Sequence, residues 1–240
     1  MFERYQRQII IESIGESGQA KLSESRVLVV GAGGLGSPVL FYLCAAGIGN
    51  LGIIDYEKVE ISNLNRQILY TEADVSEYKA AIAAKKLHAQ NPSVNFQEYT
   101  QKLTKDNIAN IFPGYDVVVD CVDNITTRML VAHACHDLGI TLVEGGIHGF
   151  SGFVMSIQHG TACLGCLIHS KAEYGETIPA LGATAGVAGS IQAAECIKLL
   201  LGIGEPLLNE VLFFDLMTQD FKLTKLLRSP LCSVCGHLYG

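Results

Sequence analysis

Apolar residues along this chain keep two rhythms. Short runs, RVLVV (26–30), NLGIID (50–55), YDVVVDC (115–121) and ITLVEGG (140–146), are rich in branched side chains and end in, or run directly into, glycine, an acid or a cysteine. Runs of that length and composition read as strands buried on both faces. Between them lie longer stretches with apolar positions three and four apart: SPVLFYLCAAGIG (37–49), SEYKAAIAAKKLHAQ (76–90) and TTRMLVAHACHDLG (126–139). These predict helices. The first is opened by Ser37 and Pro38 and closed by glycine; the second has Ser76 as its cap and is ended by the Asn91–Pro92 pair. VNFQEY (94–99) alternates as a half-buried strand does. Strands alternating with helices predict an α/β fold of Rossmann-like type, with a doubly wound, mostly parallel sheet. After residue 145 the rhythm changes. FSGFVMSI (150–157) reads as a strand, GVAGSIQAAECIKLLLG (186–202) as a helix, and EVLFFDLMTQDFKLTKL as two strand-like runs around a turn. The expected organisation is a single domain over 1–240, with a first half to about 145 and an antiparallel extension over about 146–240.

Bulk properties narrow the classes. With 49% apolar and 17% charged residues among 240, a sizeable core is easily built. A net charge of −7 argues against a nucleic-acid partner. No apolar run approaches the ~18 uncharged residues of a membrane span, so no membrane is expected. MFERYQRQII lacks the layout of a signal peptide, and the expected address is the cytoplasm. The eight cysteines then need a reduced role, such as metal binding, rather than a disulfide framework.

The first strand runs directly into GAGGLG (31–36) and then a helix. In that context Gly31 permits a tight turn, Gly33 lets a phosphate approach the backbone, and Gly36 allows helix and strand to pack closely. The helix start offers free N–H groups and the positive end of its dipole. Asp55, at the carboxyl end of the second strand, suits ribose hydroxyls. That much also describes a dinucleotide oxidoreductase or a non-catalytic NAD-binding scaffold. The difference lies in ISNLNRQ (61–67). A redox cofactor brings two phosphates and needs little cationic help; a triphosphate under cleavage needs arginine, lysine and a metal. Arg66 can fork onto phosphate oxygens, Asn63 and Gln67 can add neutral hydrogen bonds, and Lys79 can add a point charge. In DCVDN (120–124), Asp123 sits at the carboxyl end of a strand, where a carboxylate suits Mg²⁺.

Two Cys-x-x-Cys pairs, Cys163 with Cys166 and Cys232 with Cys235, supply the four thiolates of a closed tetrahedral Zn²⁺ site. Such a site would staple the C-terminal segment to the body and take no part in catalysis. Redox pairs or an iron–sulfur cluster are the alternatives. Cys44, Cys121, Cys135 and Cys196 lie within apolar runs and read as buried packing residues.

Taken together, GAGGLGS, LGIIDYEKVEISNLNRQ, the lysine of SEYKAA, DCVDN and the final CSVCG resemble the ThiF/MoeB/HesA family, relatives of the ubiquitin-activating enzymes. The resemblance spans nearly the whole chain, from RYQRQI onward. It implies an adenylyltransferase that uses MgATP to activate the C-terminal glycine carboxylate of a ubiquitin-like sulfur-carrier protein ending in Gly-Gly, with release of pyrophosphate, in thiamine or molybdopterin biosynthesis. It further implies that Gly31, Gly33, Gly34 and Gly36 face the phosphates and Asp55 the ribose. Asn63, Arg66 and Lys79 would hold the triphosphate, and Asp123 would coordinate Mg²⁺. Arg7, in RYQRQ, corresponds to an arginine that reaches the partner subunit's nucleotide, which implies a homodimer. The chain departs from the thioester-forming relatives at HSKAEYGETIPALGATAG (169–186), which holds no cysteine. Adenylation without an enzyme-bound thioester, followed by a separate sulfur donor, is the expectation, with segment 169–182 covering the carrier's tail. A peptide or small-molecule acid as the substrate is the alternative.

Overall fold

The computed structural model describes residues 2–168 and 178–236. The expectation for the covering segment falls largely on 169–177, outside the described residues. Two N-terminal helices, α1 (Phe2–Ile9) and α2 (Gly15–Glu24), precede β1 (Arg26–Val30). There follow α3 (Gly36–Ala46), β2 (Asn50–Ile54), α4 (Lys79–Gln90), β3 (Asn95–Tyr99), α5 (Lys105–Ile111), β4 (Val117–Asp120), α6 (Ile125–Leu138) and β5 (Thr141–His148). The remainder is β6 (Ser151–Ile157), the one-turn α7 (Leu164–Leu167), α8 (Gly182–Leu201), β7 (Glu210–Asp215) and β8 (Asp220–Lys225). No described helix is long and apolar enough to cross a membrane.

All eight strands join one sheet in the order β3-β2-β1-β4-β5-β6-β7-β8. The first five pair in parallel, and β6, β7 and β8 pair antiparallel. The change of direction comes between β5 and β6, so the expected boundary near 145 falls inside β5. Strand alternation divides the core. Val27, Val29, Ile53 and Val119 pack with α3, α4 and α8 on one face. Leu28, Val30, Ile54 and Val118 pack with α5, α6 and the cysteine pairs on the other. A strand buried on both faces has no polar position to spare, which is why β1, β2, β4 and β5 were readable as unbroken runs, whereas β3, at the sheet edge, is largely exposed. The chain leaves β1 toward β2 and β3, then returns to add β4 and β5 on the other side. That reversal opens a crevice beyond the carboxyl ends of β1 and β4, where such sheets bind ligands.

Two helix starts differ from expectation. Ser76 does not cap α4: its backbone is left-handed (φ 74°), and Tyr78 pairs in a short bridge with Lys58 before the helix begins at Lys79. The hydrogen bond from Lys79 N–H to Glu57 O (2.9 Å) fixes that late start. Similarly, α3 begins at Gly36, and the Ser37 hydroxyl donates to Gly33 O (2.7 Å) instead of capping the helix. By contrast, α6 has a true cap in Asn124, whose Oδ1 accepts from Thr127 N–H at 2.9 Å.

Candidate nucleotide site and metal centre

The glycine loop leaves β1 through Gly31 at φ 92°, a conformation that favours glycine. A methyl group on Gly36 would come within 2.0 Å of Gly31 O, so the turn closes only without a side chain there. Asp55, at the end of β2, latches this loop. Its Oδ2 accepts from Ala32 N–H (2.9 Å) and its Oδ1 from Glu57 N–H (2.8 Å). Burial raises the Asp55 carboxyl above its ordinary range, opposed by those two N–H groups and by the charge of Lys79. Tyr70 adds a second latch, its hydroxyl donating to Ala32 O at 2.8 Å.

A cavity of about 500 Å³ opens at the switch between β1 and β4. Gly31, Gly33 and Gly34 line it, together with Asp55, Arg66, Gln67, Lys79 and Asp123. Residues up to 92 positions apart, from Gly31 to Asp123, therefore meet in one crevice. Lys79 is buried, and its Nζ meets Glu57 Oε2 at 2.6 Å. Arg66 folds back, with Nη1 donating to Ser62 O and Asn65 Oδ1, each at 2.9 Å. Both cations line the cavity, and each sits on an acceptor that an anionic ligand could replace. Gln67 is also buried, and its Oε1 has no partner. An unsatisfied polar atom at such a place is costly unless a ligand or water meets it. Asp123 is exposed to the crevice and accepts no hydrogen bond from a described residue. It is a hard oxygen donor free for a cation, and it fits Mg²⁺ in that respect.

Three sequence-predicted residues stand apart. Gly36 lies beneath the loop and not in the lining. Asn63 is buried in a short 3₁₀ turn (Ile61–Asn63), where its Oδ1 accepts from Glu60 N–H at 3.1 Å; it shapes the approach to Arg66 without lining the cavity. Arg7 is exposed on α1, away from its own chain's crevice. Three charged lining residues, Glu57, Lys102 and Arg128, were missed. Glu57 holds Lys79, and Arg128 reaches the cavity from the first turn of α6. The available signal was Arg128's place four residues after the Asn124 cap, which puts it at the sheet's carboxyl edge.

The same cavity extends along β5, β6 and β7 as a second arm. It is lined by Gly146, Ile147 and His148 of β5, Ser151, Gly152 and Phe153 of β6, Phe213 of β7, and Ile178 ahead of α8.

On the sheet face covered by α5 and α6, Cys163, Cys166, Cys232 and Cys235 converge, all buried. Their Sγ atoms lie 3.4 Å (Cys163–Cys232), 3.4 Å (Cys166–Cys235) and 3.9 Å (Cys163–Cys166) apart. Zn–S bonds of ~2.3 Å in a tetrahedron require edges of about 3.8 Å, so the set fits zinc. Bonded sulfurs would lie far closer. Burial pushes the Cys163 thiol up, which disfavours a thiolate there unless a cation is present. The four-thiolate set leaves no open coordination position.

The sequence pattern of the ThiF family matches residues 5–234. A "Sulfur carrier protein adenylyltransferase" of Thermus thermophilus is 44% identical, over 98% of this chain and 90% of its own. A "SAMP-activating enzyme E1" of Haloferax volcanii is 41% identical, over 98% and 88%. Among solved structures, E. coli MccB with ATP superposes with a TM-score of 0.82 at 26% identity, covering 91% of this chain and 68% of that one.

Proposed function

The chain belongs to the ThiF family, and from that premise we propose how its own residues carry the family's reaction. It is an ATP-dependent adenylyltransferase that activates the C-terminal glycine carboxylate of a ubiquitin-like sulfur-carrier protein. The observation that carries the residue assignment is the convergence of Asp55, Arg66, Gln67, Lys79 and Asp123 on one cavity beside the glycine loop.

In this reading the loop N–H groups and Asp55 seat the nucleotide, with the ribose at the Asp55 carboxylate. Asn63 shapes the 3₁₀ turn that presents Arg66. The guanidinium of Arg66 leaves the Ser62 carbonyl for phosphate oxygens, and Lys79 leaves Glu57 in the same way. Both exchanges replace a partly solvated acceptor with a multiply charged one, so they favour triphosphate over a neutral ligand. Mg²⁺ held through Asp123 would neutralise charge on the leaving pyrophosphate. The carrier's carboxylate oxygen attacks the α-phosphorus, the bond from that phosphorus to the bridging oxygen breaks, and pyrophosphate departs with the electron pair. No proton has to move at the carboxylate, so this step needs no general base.

The second arm suits an extended, small-residue tail. Gly146 and Gly152 let aromatic rings pack directly on its backbone: a methyl on Gly146 would lie 2.5 Å from the Phe153 ring, and one on Gly152 would lie 2.4 Å from Phe214. Phe153 and Phe213 form its walls. Peptide and small-molecule acids are the less well-supported alternative, since the relatives at 44% and 41% identity are named for protein-carrier activation. A homodimer that brings Arg7 to the partner's triphosphate, a separate sulfur donor, and zinc at the four cysteines complete the proposal. Carrier-dependent exchange of labelled pyrophosphate into ATP tests it. The wild-type chain is expected to exchange and Asp123→Ala to lose exchange while keeping its melting temperature; near-normal exchange in that variant would remove the assignment.

A further inference from the structure

Beneath the cavity floor lie two carboxyls that the reaction does not use. The parallel ladder pairs Asp120 on β4 with Glu144 on β5, and both are 0% exposed. Parallel neighbours in register project to the same face, so the two buried carboxyls lie side by side. One oxygen of each is occupied. Asp120 Oδ1 accepts from Val122 N–H at 3.0 Å, and Glu144 Oε1 accepts from Arg128 Nη1. The remaining oxygens, Asp120 Oδ2 and Glu144 Oε2, are buried and have no hydrogen-bond partner among the described residues. Ionised carboxylates only accept, so a hydrogen bond between them needs a proton of their own.

We propose that Asp120 and Glu144 share one proton, and that with Arg128 they form a charge-neutral unit that positions Asp123 in the nucleotide site. The positioning half rests on the reading of Asp123 given above; the proton does not.

The charge balance supports a single proton. Two ionised acids against one guanidinium would leave a net negative charge in a dry site, and two neutral acids would leave Arg128 unbalanced. The groups facing the pair are Arg128 on α6, Cys121 on the following loop, Cys135 on α6, and Asp123 across the guanidinium. Burial pushes both thiols up and leaves them neutral, so Arg128 is the cation that balances the unit. Burial raises both carboxyls, and the Glu144 carboxyl stands well above its ordinary range.

The mechanical consequence falls on one peptide. Val122 N–H is held by Asp120, and Val122 O accepts from Arg128 Nη2 at 2.7 Å. Gln192 of α8 pins the carbonyl of Asp120 at 2.8 Å. Both hydrogen-bonding groups of the residue before Asp123 are thus fixed by the acid pair and its arginine. Arg128 itself packs over the Phe153 ring at 6.0 Å, so the unit touches the second arm as well.

The test uses the full chain carrying Glu144→Gln and, separately, Glu144→Ala. A carboxamide keeps an acceptor for Arg128 and supplies an N–H to Asp120, so it reproduces the protonated acid. The infrared difference spectrum of wild type minus Glu144→Gln at neutral pH is expected to show a protonated-carboxyl band. Glu144→Gln is expected to keep exchange close to wild type. Glu144→Ala is expected to raise the Mg²⁺ needed for half-maximal exchange by ~10–100-fold, the range seen when a supporting partner of a metal ligand is lost. Should Glu144→Ala fail to fold, the spectrum and the Glu144→Gln rescue still decide. Absence of the band, or a Glu144→Gln variant as impaired as Glu144→Ala, would overturn the shared proton. An unchanged Mg²⁺ requirement in folded Glu144→Ala would overturn the positioning role. If Asp123→Ala kept exchange, the reading of Asp123 would fail instead, with the infrared result unaffected.

Discussion

Replacing Cys232 by serine cuts one corner of the four-cysteine cluster, and its effect can be worked from the chain's own geometry. Cys163 and Cys232 are 69 residues apart, with sulfurs at 3.4 Å. A metal joining the two pairs closes that loop. Closing ~70 residues removes chain entropy from the unfolded state worth about 4 kcal/mol at 25 °C, taking the relation for cross-links. A domain of this size shifts its melting temperature by ~2–4 °C per kcal/mol. The ceiling is therefore a fall of about 8–16 °C. The true fall is smaller to the extent that the segment after β8 comes loose locally, since it leans on the body through Val234 packed at Gly165 and through the cysteines. Differential scanning fluorimetry with metal analysis checks it. Wild type should hold one zinc per chain; Cys232→Ser should hold much less and melt several degrees lower. Below its melting temperature the variant should still catalyse pyrophosphate exchange. Unchanged zinc content and melting temperature would refute the staple. Loss of exchange in a folded variant would refute the claim that the metal is only structural.

Three other outcomes are expected. Gly36→Ala places a methyl 2.0 Å from Gly31 O, so fluorescence titration should show ATP binding lost or the chain unable to fold; wild-type binding would show that the loop can relax. Mixing Arg7→Ala with Asp123→Ala, each inactive alone, should restore about a quarter of wild-type exchange. In a two-fold dimer half the molecules are mixed, and each mixed dimer has one intact site; no restoration would place Arg7 outside the partner's site. For Asp74, burial raises the carboxyl, but hydrogen bonds from Lys86 and Thr71 outweigh it and the net shift is downward. Its folded-state affinity for a proton is below the unfolded one, so it stabilises the fold at neutral pH and that contribution fades as pH drops below about 4. Denaturant unfolding of Asp74→Asn should show a deficit at pH 7 that shrinks in acid; a deficit independent of pH would contradict this.

The parts of the fold legible in the sequence are those where one physical demand dominates. RVLVV reads as a strand over the same residues, Arg26–Val30, that form β1, because burial on both faces excludes polar side chains. The two Cys-x-x-Cys pairs were legible because thiolates at that spacing have few other uses. The α5 helix was not, because KDNIANI is short and mixed, and its start depends on a reciprocal cap between Thr104 and Asn107. The start of α4 was misplaced because a tertiary bond to Glu57 O, and no local cap, fixes it. In the site, Arg66, Gln67, Lys79 and Asp123 were legible as charges and amides out of keeping with a redox cofactor. Glu57 and Arg128 were not. Their partners Lys79 and Glu144 lie 22 and 16 residues away, and only the sheet brings them together.

The central claim is that this cavity joins AMP to a protein's terminal carboxylate. Intact-mass analysis of a Gly-Gly-terminated carrier, incubated with the enzyme, ATP and Mg²⁺ and without a sulfur donor, tests it most directly. The carrier should gain the mass of one adenylyl group, and the same carrier lacking its last two glycines should gain nothing. A carrier left unmodified while ATP is consumed, or a truncated carrier modified equally well, would contradict the account.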